Sequence, residues 1–114
     1  LPESAEISFA LGLAEIRAGR TSAALERLAG ATRLAPDNAY YWYVYGLAQE
    51  SSDLPAALSN LRTAYRLSSD PQFLYAACEL GVRNADPSAR RCLAELDGQV
   101  PPAAVQRLRD QVPP

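Results

Sequence analysis

The chain has 114 residues, 48% of them hydrophobic and 21% charged, with a formal net charge of -2, which suits one domain with a single core. No apolar run approaches the roughly 20 residues of a membrane span, and a pI near 5.0 comes without the basic stripe that phosphate binding requires. The expectation is therefore no membrane span and no nucleic-acid partner.

All 11 basic residues are arginine, histidine is absent and alanine is abundant, a bias read as a GC-rich, bacterial genome. Residue 1 is Leu and the chain holds no Met, so a fragment or processed piece of a longer protein is expected. Compartment, cytoplasmic or periplasmic, stays open.

Apolar periodicity predicts helices over 4–18, 22–34, 38–51, 54–68, 71–83 and 87–97, followed by a capping helix over about 101–112. Thr21, Asp37, Asp53, Asp70 and Asp86 stand at N-cap positions, and Pro71 and Pro87 at first helical positions, where a missing N–H costs nothing. Gly19 and Gly98 sit where helices end in a left-handed residue. No stretch alternates as a strand would. Ala104, Val105, Leu108 and Val112 give the last helix one apolar side, suited to covering the end of a stack.

These helices fall into a repeating pattern. Gly12 and Gly46 are 34 positions apart, as are Pro2 and Pro36, and Ala24, Leu28 and Ala31 recur as Ala57, Leu61 and Ala64. A weaker third copy runs Phe73, Ala77, Leu80, Ala89, Leu93 and Leu96. Gly12, Gly46 and Ala77 are read as the small residues that let each first helix approach the second. On this phase Leu1–Ser4 form the end of an earlier repeat, which leaves Ile7, Leu11 and Ala14 without the helix that should cover them.

Trp42 with Gly46, the two Ala-Leu-Ala triplets and Pro36 resemble the tetratricopeptide repeat family over about residues 2–97. Ser8, Glu15 and Gln49 depart from that pattern by standing where large apolar residues are usual. The resemblance implies an all-α fold: a right-handed superhelical stack of about three antiparallel helix pairs, repeats at about 5–38, 39–69 and 70–98, within a single domain 1–114.

In residues 40–45, Tyr-Tyr-Trp-Tyr-Val-Tyr, the 100° helical step separates three stripes. Trp42 and Gly46 face the partner helix, Tyr41, Tyr45 and Ala48 the preceding pair, and Tyr40, Tyr43, Leu47 and Glu50 an inner concave surface. The equivalent inner positions are Phe9, Leu13, Ile16 and Arg17 in the first pair, and Leu74 and Cys78 in the third. Together they form the expected partner-binding groove, largely apolar and suited to an amphipathic helix or an extended segment; coverage of the same face by the last helix or another segment of the protein is the alternative. Family members that grip a C-terminal carboxylate carry lysine and asparagine where this chain has Phe9 and Leu13, so that specificity is not transferred.

Without histidine, and with no base beside either cysteine, no catalytic, cofactor or metal residue is expected. Cys78 and Cys92 match no zinc, haem-attachment or thioredoxin spacing. With Cys78 on the inner stripe and Cys92 away from it, two free thiols are expected. The leading functional reading is an interaction module for a protein or peptide. The alternative is a structural or oligomerisation segment of a larger bacterial protein, attached to a cofactor-bearing domain or pairing through its exposed first helix. Residues 37–45 resemble the tetratricopeptide tails of bacterial c-type cytochromes, although the chain has no haem-attachment motif.

Overall fold

The computed structural model describes residues 4–114; Leu1 and Pro2 of the expected earlier repeat lie outside them. Ser4 belongs instead to the helix that follows. Its Oγ accepts the Ile7 N–H and so caps α1 (Ala5–Arg17). Gly19, at φ 77°, then turns the chain out. The Gly19 N–H reaches Ile16 O and the Arg20 N–H reaches Glu15 O, the paired bonds of a Schellman ending.

The remaining elements are α2 (Thr21–Leu34), α3 (Ala39–Ala48), α4 (Leu54–Ser68), α5 (Pro71–Arg83), α6 (Ala89–Leu96) and α7 (Pro102–Arg109). These seven helices, with no strand among the described residues, make the fold all-α. Asp53 and Asp70 cap α4 and α5 as expected, and Pro71 opens α5.

Three boundary expectations change. Asn38, not Asp37, caps α3 by accepting the Tyr41 N–H. The residue before α2 is Arg20, not Thr21, and it offers no side-chain cap. Asp86 is spent on an Asx turn to the Ser88 N–H, so α6 begins at Ala89, past Pro87. Asp86 lies two positions before Ser88, which holds the N-cap place of α6, so its carboxylate turns the chain ahead of the helix and does not cap it.

Each helix packs against its successor, and α7 also touches α5. The molecule is elongated, 52 × 26 × 19 Å with a radius of gyration of 14.8 Å, against about 13 Å for a rounded domain of this length. The core runs along the second helix of each pair: Ala24, Leu28 and Ala31, then Ala57, Leu61 and Ala64, then Ala89, Leu93 and Leu96, all buried. Val105 and Leu108 of α7 close it at the C-terminal end.

Small residues set the approach of the paired helices. A Cβ on Gly46 would lie 3.0 Å from Ala57 O and 3.1 Å from Leu61 Cγ, and one on Gly12 would lie 2.9 Å from Leu28 Cδ2. Where a large apolar residue was expected, Ser8 is buried and donates to Arg27 O at 2.8 Å. Where the family pattern has an aromatic residue or leucine, Glu15 lies 3.3 Å from Arg27 Nε and Gln49 accepts from Asn60 Nδ2. Polar pairs thus replace apolar contact at the same place in both pairs.

Candidate functional site: an aromatic face across alternate helices

The odd-numbered helices bring their aromatic residues into one chain of rings. Phe9 of α1 stacks on Tyr41 of α3 at 4.5 Å and meets Tyr40 edge-on at 5.7 Å. Tyr40 lies 5.8 Å from Tyr43, which lies 4.9 Å from Phe73 of α5. Phe9, Tyr43 and Phe73 are half-buried and Tyr41 is buried, whereas Tyr40 remains 53% exposed and Leu47 is also exposed. The ring-to-ring contacts hold the aromatic bodies in place while leaving Tyr40 open to solvent.

Of the residues expected to line the groove, Phe9, Tyr40 and Tyr43 are brought together by these contacts. Leu13 is half-buried on α1, and Ile16 and Arg17 are exposed in its last turn. Glu50 is engaged elsewhere: its carboxylate receives Arg83 Nε and an Arg83 terminal nitrogen at 2.9 Å each, and Asn84 Nδ2 at 2.9 Å. Those donors, Arg83 first and Asn84 second, hold its pKa below the ordinary glutamate value, and the same contact raises that of Arg83.

Leu74 and Cys78 are not in the groove. Both are completely buried, and Cys78 is joined to Cys92 of α6 by a disulfide with a Cα–Cα distance of 5.4 Å. The expected pair of free thiols is therefore corrected to a bridge. A one-residue error of phase explains both corrections. Aligning Trp42 and Gly46 with Phe73 and Ala77 rotates α5 by one helical step of about 100°. The contacts instead align them with Leu74 and Cys78, 32 positions on. Cys78 thus occupies the small-residue crossing held by Gly46, and faces α6.

That phase was present in the second helices, where Ala57, Leu61 and Ala64 recur as Ala89, Leu93 and Leu96 at the same spacing of 32. Carried to α5, it makes Gln72, Tyr75 and Glu79 the counterparts of Tyr40, Tyr43 and Leu47. Tyr43, Gln72, Tyr75, Ala76 and Glu79 do line an open depression, closed on its far side by Val100, Pro101 and Ala104. The connection into α7 and the start of that helix therefore supply one wall.

Trp42 also has a polar partner. Its Nε1–H donates to Pro36 O at 2.8 Å, tying α3 to the loop before it. No group of three or more His, Cys, Asp or Glu residues is placed to hold a metal ion among the described residues, and no described helix is long and apolar enough to cross a membrane. No protein-family model matches the chain, and no curated protein matches its sequence.

Proposed function

We propose that the chain is a tetratricopeptide-like stack of three helix pairs, with a right-handed superhelical twist and α7 as its cap, that binds a segment of another protein along the aromatic face of α1, α3 and α5. The stack is supported by contacts between residues one repeat apart. Arg62 binds Glu95 and Arg83 binds Glu50 across 33 positions, and Tyr65 binds Gln99 and Asn84 binds Glu50 across 34. Side chains within one or two positions of equal places in successive units touch in this way when the units are laid side by side. Phe9 on Tyr41 and Tyr43 on Phe73 are likewise one contact made twice.

The observation that carries the binding role is the continuous run of rings from Phe9 to Phe73, open to solvent at Tyr40 and leading into the depression beside Tyr75. Tyrosine offers a large apolar ring and a hydroxyl with few rotors to freeze, and such anchors concentrate interface energy. The role is non-catalytic. The chain has no histidine to act as a base, and its two cysteines are tied to each other.

Selecting peptides from a random library on the intact chain tests the reading. Tyr40→Ala and Leu47→Ala remove exposed side chains, so the fold is retained. Selected peptides should bind the Tyr40→Ala chain about thirtyfold more weakly, equivalent to roughly 2 kcal/mol. Their affinity should change little with added salt, because the anchors are apolar. Peptides indifferent to both substitutions would place binding on another face.

A second reading has its own observation. Ile7 and Leu11 are 58% and 40% exposed, whereas their counterparts Tyr41 on α3, and Phe73 and Ala77 on α5, are half-buried or buried. In this reading α1 docks against a further helix, of this protein or of a second copy.

A further inference from the structure

We propose that the Cys78–Cys92 disulfide is the fastener of the groove's C-terminal wall, so that the chain completes its binding face only in an oxidising compartment. The functional half of this rests on the groove reading above; the structural half stands on the geometry of α5 to α7.

α6 and α7 have eight residues each, and neither is capped by a side-chain hydrogen bond. Helices shorter than about 12 residues do not persist on propensity alone. Their order must come from what they pack against. α6 is entered through Ala85 at φ 53°, a left-handed conformation unfavourable for a residue with a Cβ. In the first two pairs the crossing is supported by helices of 10 to 15 residues and by the Glu15–Arg27 and Gln49–Asn60 pairs. In the third pair Gly81 and Cys92 stand in those polar places, and a covalent bond joins the two helices instead.

The consequence reaches the groove through a short path. Cys92 and Leu93 anchor α6 on α5, and the chain then turns at Gly98 and delivers Val100, Pro101 and Ala104 beside Tyr43 and Tyr75. That wall has holds of its own, α7 on α5 and Tyr65 on Gln99, but the chain reaches it only through the eight residues of α6, which the bridge fixes to α5. A dithiol reductant delivers two electrons and two protons to the bridge, leaving two Cys thiols and closing to its own disulfide. Cytosolic thiol pools keep such pairs reduced, whereas exported proteins retain the bond.

Hydrogen exchange, read by peptide mass spectrometry, tests the proposal on the oxidised chain, on the same chain reduced with dithiothreitol, and on the Cys78→Ala/Cys92→Ala double variant. Closing a loop of this size constrains the unfolded chain by roughly a hundredfold in equilibrium constant. Amides of α6 and α7 should therefore lose about a hundredfold in protection in both bond-free forms, while those of α1 to α4 change by less than about threefold. Equal loss along the whole chain, or no loss in α6 and α7, overturns the fastener.

Peptides selected on the oxidised chain and weakened by Tyr40→Ala supply the second readout. They should bind the reduced chain at least about tenfold more weakly. Unchanged affinity would overturn the wall assignment while leaving the groove intact. Indifference of the peptides to Tyr40→Ala would remove the groove reading and the proposal's functional half with it, and the exchange data would still decide the fastener.

Discussion

The Arg83 guanidinium at the end of α5 closes on the Glu50 carboxylate just past α3 with two hydrogen bonds of 2.9 Å, joining two residues 33 positions apart. Asn84 adds a third donor to the same carboxylate. The residue expected to face a ligand is thus committed to holding one helix pair against the next.

Glu50→Gln should therefore lower stability at neutral pH, by no more than about 1 kcal/mol because the pair is partly open to solvent. The folded pKa lies below the unfolded one, so the contribution is present in full above the ordinary glutamate value of about 4.3 and disappears as pH falls through the lowered folded value. Urea unfolding of both proteins between neutral and strongly acid pH should show their difference shrinking toward zero at the acid end. A difference constant across that range would mean that the charge is not what matters.

At Gly46 the neighbouring atom is a backbone oxygen, 3.0 Å from where a Cβ would lie. Gly46→Ala should be close to neutral or cost up to about 1 kcal/mol, since the gain in helix propensity offsets part of the crowding. Gly46→Leu should cost about 3 kcal/mol by forcing α3 away from α4. Thermal melts of the two variants check this, and a Leu variant as stable as the parent would remove Gly46 from the crossing.

Ala85 carries the left-handed conformation that ends α5, with its N–H on Val82 O and the Asp86 N–H on Gly81 O. Glycine holds that conformation without the Cβ penalty. Ala85→Gly should raise stability by about 0.5 to 1 kcal/mol, and Gly19→Ala, at the matching end of α1, should lower it by a similar amount. Chemical denaturation measures both, and a destabilised Ala85→Gly chain would contradict the assignment.

Leu61 is completely buried between α3 and α4, whereas Ile7 projects into solvent. Leu61→Ala should cost about 2 to 5 kcal/mol, and Ile7→Ala less than about 0.5 kcal/mol in the monomer. If a second copy covers α1, Ile7→Ala should instead shift a monomer–dimer equilibrium, which sedimentation velocity at several concentrations would detect. Concentration-independent sedimentation of the parent chain would exclude pairing through this face.

The helices were legible because their signals are local. Asp53 and Asp70 cap them, Pro71 starts one and Gly19 ends another, through bonds spanning a few residues. The three stripes of residues 40–45 were also legible, since the 100° step assigns faces wherever one reference contact is known. In α3 that reference was Gly46, whose lack of a side chain marks the crossing. In α5 the same place holds Cys78. Ala77 beside it offered a smaller side chain and drew the phase one residue off, carrying Leu74 and Cys78 onto the wrong face.

The sequence by itself therefore determined the all-helical composition, the helix limits to within a few residues, the spacing between the first two pairs and the aromatic character of α3. All of these follow from neighbours within about two helical turns or from a direct repeat of residue types. Only the tertiary structure decided that Cys78 meets Cys92, that Glu50 is taken by Arg83, and that Val100 and Pro101 close the depression beside Tyr43. Each is a contact between helices, and its partner depends on how far each helix is rotated about its own axis. A one-residue change in phase turns a helix by about 100°, enough to exchange a buried crossing for an open groove.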